Sequence, residues 1–225
     1  MAALPTQRSK AETDAAGHPT QARGERTRQA LLQAAFNEIH RNGYRAASLS
    51  DILAAADCTK GSLYHHFPDK HALALAAAEE FTTAYLEELW LQPLAETSDP
   101  LPVLRRILAS HAEQPDRFDI TLGCPVNNLG QEMAGIDEDF RDLLSALIAR
   151  WRLAIADALR RGQASGTVRN DIDADSTASL IVAMHQGTIG TAKSTQDIGV
   201  IRKCDAAFSD YLSFLSPPSS SNRPL

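Results

Sequence analysis

The sequence predicts an all-α protein, with a three-helix helix-turn-helix head followed by a larger helical rear. Three observations lead there. Apolar residues recur at i, i+3, i+4 and i+7, as in Leu32, Ala35, Phe36 and Ile39. No segment shows the period-2 alternation of a half-buried strand. Ser48 and Thr59 stand as successive N-cap candidates before two short apolar stretches, a spacing that leaves room only for tightly connected helices.

Taken in order, residues 1–23 are rich in Ala, Thr, Gln, Pro and Gly without apolar periodicity, and read as a disordered tail. From Glu25 a helix runs to Asn42, where Gly43 supplies a left-handed stop. Ser48-Leu49-Ser50-Asp51 resembles a capping box ahead of Ile52, Leu53, Ala55 and Ala56. Thr59 opens a third helix through Phe67, closed by Pro68. Lys70 to Leu91 is free of Gly and Pro and is expected to stop at Pro93; Leu101 to His111 should end before Pro115. Phe140, Leu143, Leu144, Leu147, Trp151, Ile155 and Leu159 form a long stripe that Gly162 is expected to end. Two more helices, about Asp173–Lys193 and Ile201–Leu215, precede Pro217-Pro218. The division is a tail at 1–23, a head at 24–69, a helical rear at 70–216 and a second disordered tail at 217–225.

Composition narrows the class. Hydrophobic residues at 44% and charged residues at 22% fit a globular chain. The longest unbroken apolar run, Ala72–Ala78, is far short of the roughly 20 residues a membrane span needs. The opening MAALPTQRSK has no apolar leader, and Cys58, Cys124 and Cys204 cannot all pair, so reduced thiols and a cytoplasmic location are expected. The net charge of −6 conceals an asymmetry, with nine Lys+Arg against seven Asp+Glu in residues 1–71 and 13 against 21 in residues 72–225. No GxSxG, HExxH, Walker loop or dinucleotide fingerprint occurs, so no enzymatic chemistry and no cofactor are expected. His65 and His66 diverge on a helix, so no metal site is expected either.

The chemistry concentrates in SLSDILAAADCTKGSLYHHFPDKHAL, residues 48–73. A helix entering a major groove presents its N-terminal residues to base edges. Lys60 offers a flexible donor for guanine O6/N7, Gly61 removes a side chain at the closest approach, and Ser62 is small and can donate or accept. Tyr64 brings a phenol to phosphate. His65 offers a flat face or an N–H, and His66 and Lys70 place cations near the far end. Leu63 and Phe67 read as core. With Asn42-Gly43-Tyr44 before it and Thr59-Lys60-Gly61-Ser62-Leu63-Tyr64-His65-His66-Phe67 followed by Lys70, the segment resembles the DNA-binding head of the TetR/AcrR family of transcriptional regulators. The resemblance covers residues 25–75 closely and the rear loosely.

It implies that Ser48 and Thr59 also grip phosphate, that the rear dimerises and holds an effector, and that the DNA is a double-stranded palindromic operator. The homodimer would form through the last two long helices, where Ala183, Gly187 and Gly190 permit close approach. Gly123-Cys124-Pro125-Val126-Asn127-Asn128-Leu129 is similar to a stretch bordering the pocket in the NemR-type subgroup, some members of which respond to electrophiles. Cys124 at a helix N-terminus would have its thiolate favoured. Candidate effector-binding residues are Cys124, Asn128, Trp151, His185, Tyr85, His111 and Met133, with Phe81 and Met184 as further lining. The expectation is thus a ligand-responsive repressor released by a small-molecule effector, an electrophile or oxidant through Cys124 being one form of it. Two alternatives stand beside it: a small all-α enzyme pairing Cys124 with His111 or His185, and a helical adaptor that does not bind DNA.

Overall fold

The computed structural model describes residues 19–113 and 118–218. The head comprises α1 (Pro19–Asn42), α2 (Leu49–Ala55) and α3 (Lys60–His66). Then come α4 (Lys70–Leu86), a π-helical turn (Glu87–Leu91), α5 (Gln92–Ala95), α6 (Pro100–Glu113), α7 (Pro125–Met133), α8 (Glu138–Ser165), α9 (Ala174–Thr195) and α10 (Ile198–Phe214). No strand occurs among the described residues. None of their helices is long and apolar enough to cross a membrane.

Helix starts follow short polar caps. Ser48 Oγ accepts from Asp51 N at 3.3 Å and Thr59 Oγ1 from Ser62 N at 3.2 Å. Asp69, Asp137 and Asp173 cap α4, α8 and α9 in the same way, bonding Ala72 N, Phe140 N and Ser176 N at 2.8, 3.1 and 2.7 Å. Gly43 closes α1 at φ +82°, the left-handed conformation that glycine accepts without strain.

Three boundaries differ from the sequence reading. Helix α1 already starts at Pro19, whose fixed φ suits a first helical position, so residues 19–23 of the expected tail are helical. Residues 1–18 and 219–225 of the two expected tails lie outside the described residues, as does Pro115. Pro93 does not stop its helix; the π turn just before it widens the coil, which relieves the clash between the proline ring and the preceding turn. Helix α8 passes through Gly162 and ends at Gly166, φ +78°. Gly162 is there for packing, because a Cβ would lie 2.5 Å from Val168 Cγ2 and 2.9 Å from Pro100 Cδ.

Two apolar cores result. In the head, Leu31, Leu32, Ile52, Leu53, Leu63 and Phe67 pack together, and α4 adds Leu73 and Ala77. The rear core takes Ala74, Ala78 and Leu86 from the same helix, with Trp90, Phe140, Trp151, Ile155 and Ile181. Helix α4 therefore belongs to both bodies. Four hydrogen bonds among the described residues cross the seam between them. Glu132 accepts from the amides of Tyr44 and Arg45 at 2.9 Å each, His71 Nε2 meets Asp137 Oδ2 at 3.0 Å, and His40 Nε2 donates to Gly123 O at 3.0 Å.

Candidate nucleic-acid interface and effector pocket

The nine residues expected to meet DNA divide by their environment. Leu63 and Phe67 anchor α3 from inside, which fixes the faces of the others. Lys60, Gly61, Tyr64 and His65 are exposed, and Ser62 and His66 are half-buried. Tyr64, at 54% exposure, is one of the few large apolar side chains left to solvent. Gly61 is informative because the chain does not need it: a Cβ there would meet Thr59 Oγ1 at an ordinary 3.8 Å. The hydroxyls of Ser48 and Thr59 act as cap acceptors, and Ser48 Oγ also lies 2.7 Å from Ser50 Oγ.

Lys70 departs from its expected role. Its Nζ donates to Tyr44 O at 2.8 Å and Ala47 O at 2.5 Å, and it lies 4.9 Å from the centre of the Tyr44 ring. The ammonium clamps the loop between α1 and α2 rather than facing outward. The sequence marks the charge, while the two carbonyls that claim it come from residues distant in the chain.

The candidate effector residues also separate. Tyr85 and His111 line a cavity of about 450 Å³ with Leu89, Pro93, Ile107 and Phe118; the exposed Glu88 and Arg106 border it. Tyr85 Oη lies 3.3 Å from His111 Nε2. Behind this pair is an aromatic stack. His111 packs against His185 at 4.9 Å, His185 meets Trp90 and Trp151 at 5.0 and 5.4 Å, and the two indoles lie 4.8 Å apart. Trp90 and Phe118, which sequence reasoning left out, complete the group; a lone Trp in an apolar run carries no mark that separates it from plain core.

The electrostatics of this cluster follow from burial, which disfavours the charged forms. It lowers His111, lowers His185 well below the usual imidazole value with His111 adding to the effect, and raises Tyr85 well above 10.0, helped by the nearby Cys124. His111, His185 and Tyr85 are thus held in their neutral forms near neutral pH. Trp90 Nε1, Trp151 Nε1 and His185 Nε2 are buried with no hydrogen-bond partner among the described residues.

The remaining candidates do not line this cavity. Cys124 holds the N-cap position of α7 but is only 2% exposed. Burial raises its pKa, outweighing the amides of Asn127 and Val126, so the expected thiolate is not favoured. Met133 is core. Asn128 donates to Leu122 O at 2.7 Å and borders a separate cavity between α1, α7 and α9. Met184 lines a small void between α6, α9 and α10, and Phe81 stacks on Phe36 at 4.9 Å.

This arrangement agrees with what the chain is similar to. Residues 31–77 match the family described as bacterial regulatory proteins, tetR family, and residues 100–208 match the tetracyclin repressor-like C-terminal domain. The transcriptional regulator AcuR of Cereibacter sphaeroides is 33% identical over 165 residues, which cover 73% of this chain and 75% of the relative. A TetR regulatory protein of Rhodobacter sphaeroides superposes with a TM-score of 0.73 at 31% identity, over 82% of this chain and 98% of that one. Escherichia coli NemR in its reduced form has a TM-score of 0.74 at 21% identity, over 86% and 99% of the two chains, a likeness of fold. The protein belongs to the TetR family of DNA-binding transcriptional regulators. It is a regulator rather than an enzyme.

Proposed function

We propose that the chain is a homodimeric repressor that holds a palindromic operator in the cytoplasm and releases it when a small molecule enters the Tyr85–His111 pocket. The observation that carries the reading is α3, anchored by Leu63 and Phe67 while Lys60, Gly61, Tyr64 and His65 stay exposed on its surface. Lys60 reads base edges, Tyr64 and His65 meet the backbone or a thymine methyl, and Ser48, Thr59, Ser62 and His66 complete the contacts. Exposed Leu180 on α9 and Phe214 on α10 support dimerisation through the last two helices, since large apolar side chains at solvent favour a partner. A two-fold pair presents its recognition helices about 34–36 Å apart, one turn of DNA.

Coupling runs through α4. Its last turn and the π turn wall the pocket through Tyr85, Glu88 and Leu89, while its first turns sit in the head core through Leu73 and Ala77. A ligand that favours one position of this helix shifts both heads together. Reversible binding in the pocket fits the structure better than electrophile chemistry at Cys124, whose thiol is buried and held in its neutral form.

The test is a fluorescence-anisotropy titration of duplexes tiled across the intergenic region ahead of the gene. Expected are a two-protomer complex on one inverted repeat and a steep loss of affinity with salt. Equal affinity for all tiles would overturn the reading.

A further inference from the structure

A second cavity, about 630 Å³, lies on the seam between the head and the rear, away from the aromatic pocket. Phe36, Ile39, Ala78 and Leu129 give it an apolar wall. Arg41, from the last turn of α1, and Lys193, from the last turn of α9, also line it, one from each body. Neither forms an ion pair among the described residues. The one carboxylate among the lining residues, Glu132, is held by two backbone amides and forms no ion pair with either cation. His40 beside them is kept uncharged by burial and by Lys193, and donates to Gly123 O. Helix α7 lines the same space along its length, through Asn127 and Asn128 in its first turn and Gln131 and Glu132 in its last.

An apolar wall facing two unpaired cations is chemistry for an amphipathic anion. We propose that the seam cavity binds an organic acid, its apolar body against Phe36, Ile39 and Leu129 and its carboxylate held by Lys193 and Arg41. Such a ligand touches the head through α1 and the rear through α7 and α9, so its binding is linked to the relative placement of the two bodies, independently of the aromatic pocket.

The test uses the full chain and isothermal titration with 4-phenylbutyrate and its neutral amide. Wild type is expected to prefer the acid by about ten-fold, a typical advantage for a charge-assisted contact in a partly dry site. Lys193→Met keeps the stem that packs over Gly123 and removes the charge; it should cut acid affinity about three- to ten-fold, leave the amide unchanged, and be rescued by Lys193→Arg. Equal binding of acid and amide, or no acid binding at millimolar concentration, would overturn the proposal. So would acid binding that survives Lys193→Met and Arg41→Met but is lost in His111→Ala, since that places the ligand in the aromatic pocket.

Discussion

Lys60 and Lys70 carry the same charge on consecutive helices, and their surroundings separate their roles. Lys70 satisfies two carbonyls of the α1–α2 loop at 2.8 and 2.5 Å, so Lys70→Met should cost about 1–3 kcal/mol and lower the melting temperature. Operator affinity per folded molecule should hold. Lys60 is exposed, so Lys60→Ala should leave the melting temperature unchanged and cost about 1–3 kcal/mol of discrimination at one base position, read by competition with single-base operator variants. At Cys124 the buried, neutral thiol should be slower to react with a disulfide reagent at neutral pH than half-buried Cys204, followed by mass spectrometry of the native protein. Residue types announce such chemistry in the sequence; which partner claims a side chain does not show until the chain is folded, and Lys70 and Cys124 are where that mattered.

At the scale of elements, capping residues made the helix starts legible, since an N-cap acts within three residues of its own position. Ser48 and Thr59 both do what their type and spacing indicate. Thr59→Ala should cost about 1 kcal/mol and fray α3, weakening operator binding while the rear stays folded, as circular dichroism and anisotropy would show. The ends were harder to read, because they depend on tertiary partners: Val168 and Pro100 explain Gly162, and the π turn explains Pro93. On α10, burial and the nearby Glu113 push the Asp205 carboxyl up to about 6. The raised pKa means the fold favours the protonated form, so stability is present at low pH and lost as pH rises from the ordinary carboxylate value through about 6. Asp205→Asn should therefore raise the melting temperature at pH 8 and do so much less at pH 4; an equal gain at both would contradict this.

For the whole molecule, α4 lies in both cores, which supports the proposed link between DNA and effector. The head was the most legible part, since its contacts are local in sequence. The pocket was legible only in pieces: Tyr85, His111, Trp151 and His185 do gather, whereas Cys124, though near Tyr85, is buried core, and Asn128 and Met133 belong to other surroundings. Helix register along a single strand of sequence does not say which distant faces will meet. Leu180→Arg with Phe214→Asp should yield monomers by light scattering and weaken operator binding steeply, because each half-site then binds alone.

The most direct measurement is the salt dependence of binding to the inverted repeat by wild type and Lys60→Ala. The account predicts a steep negative slope for both proteins and a smaller preference for the repeat over scrambled duplex in the variant. A wild-type protein that binds repeat and scrambled duplex equally at low salt, or a variant that discriminates as well as wild type, would contradict it.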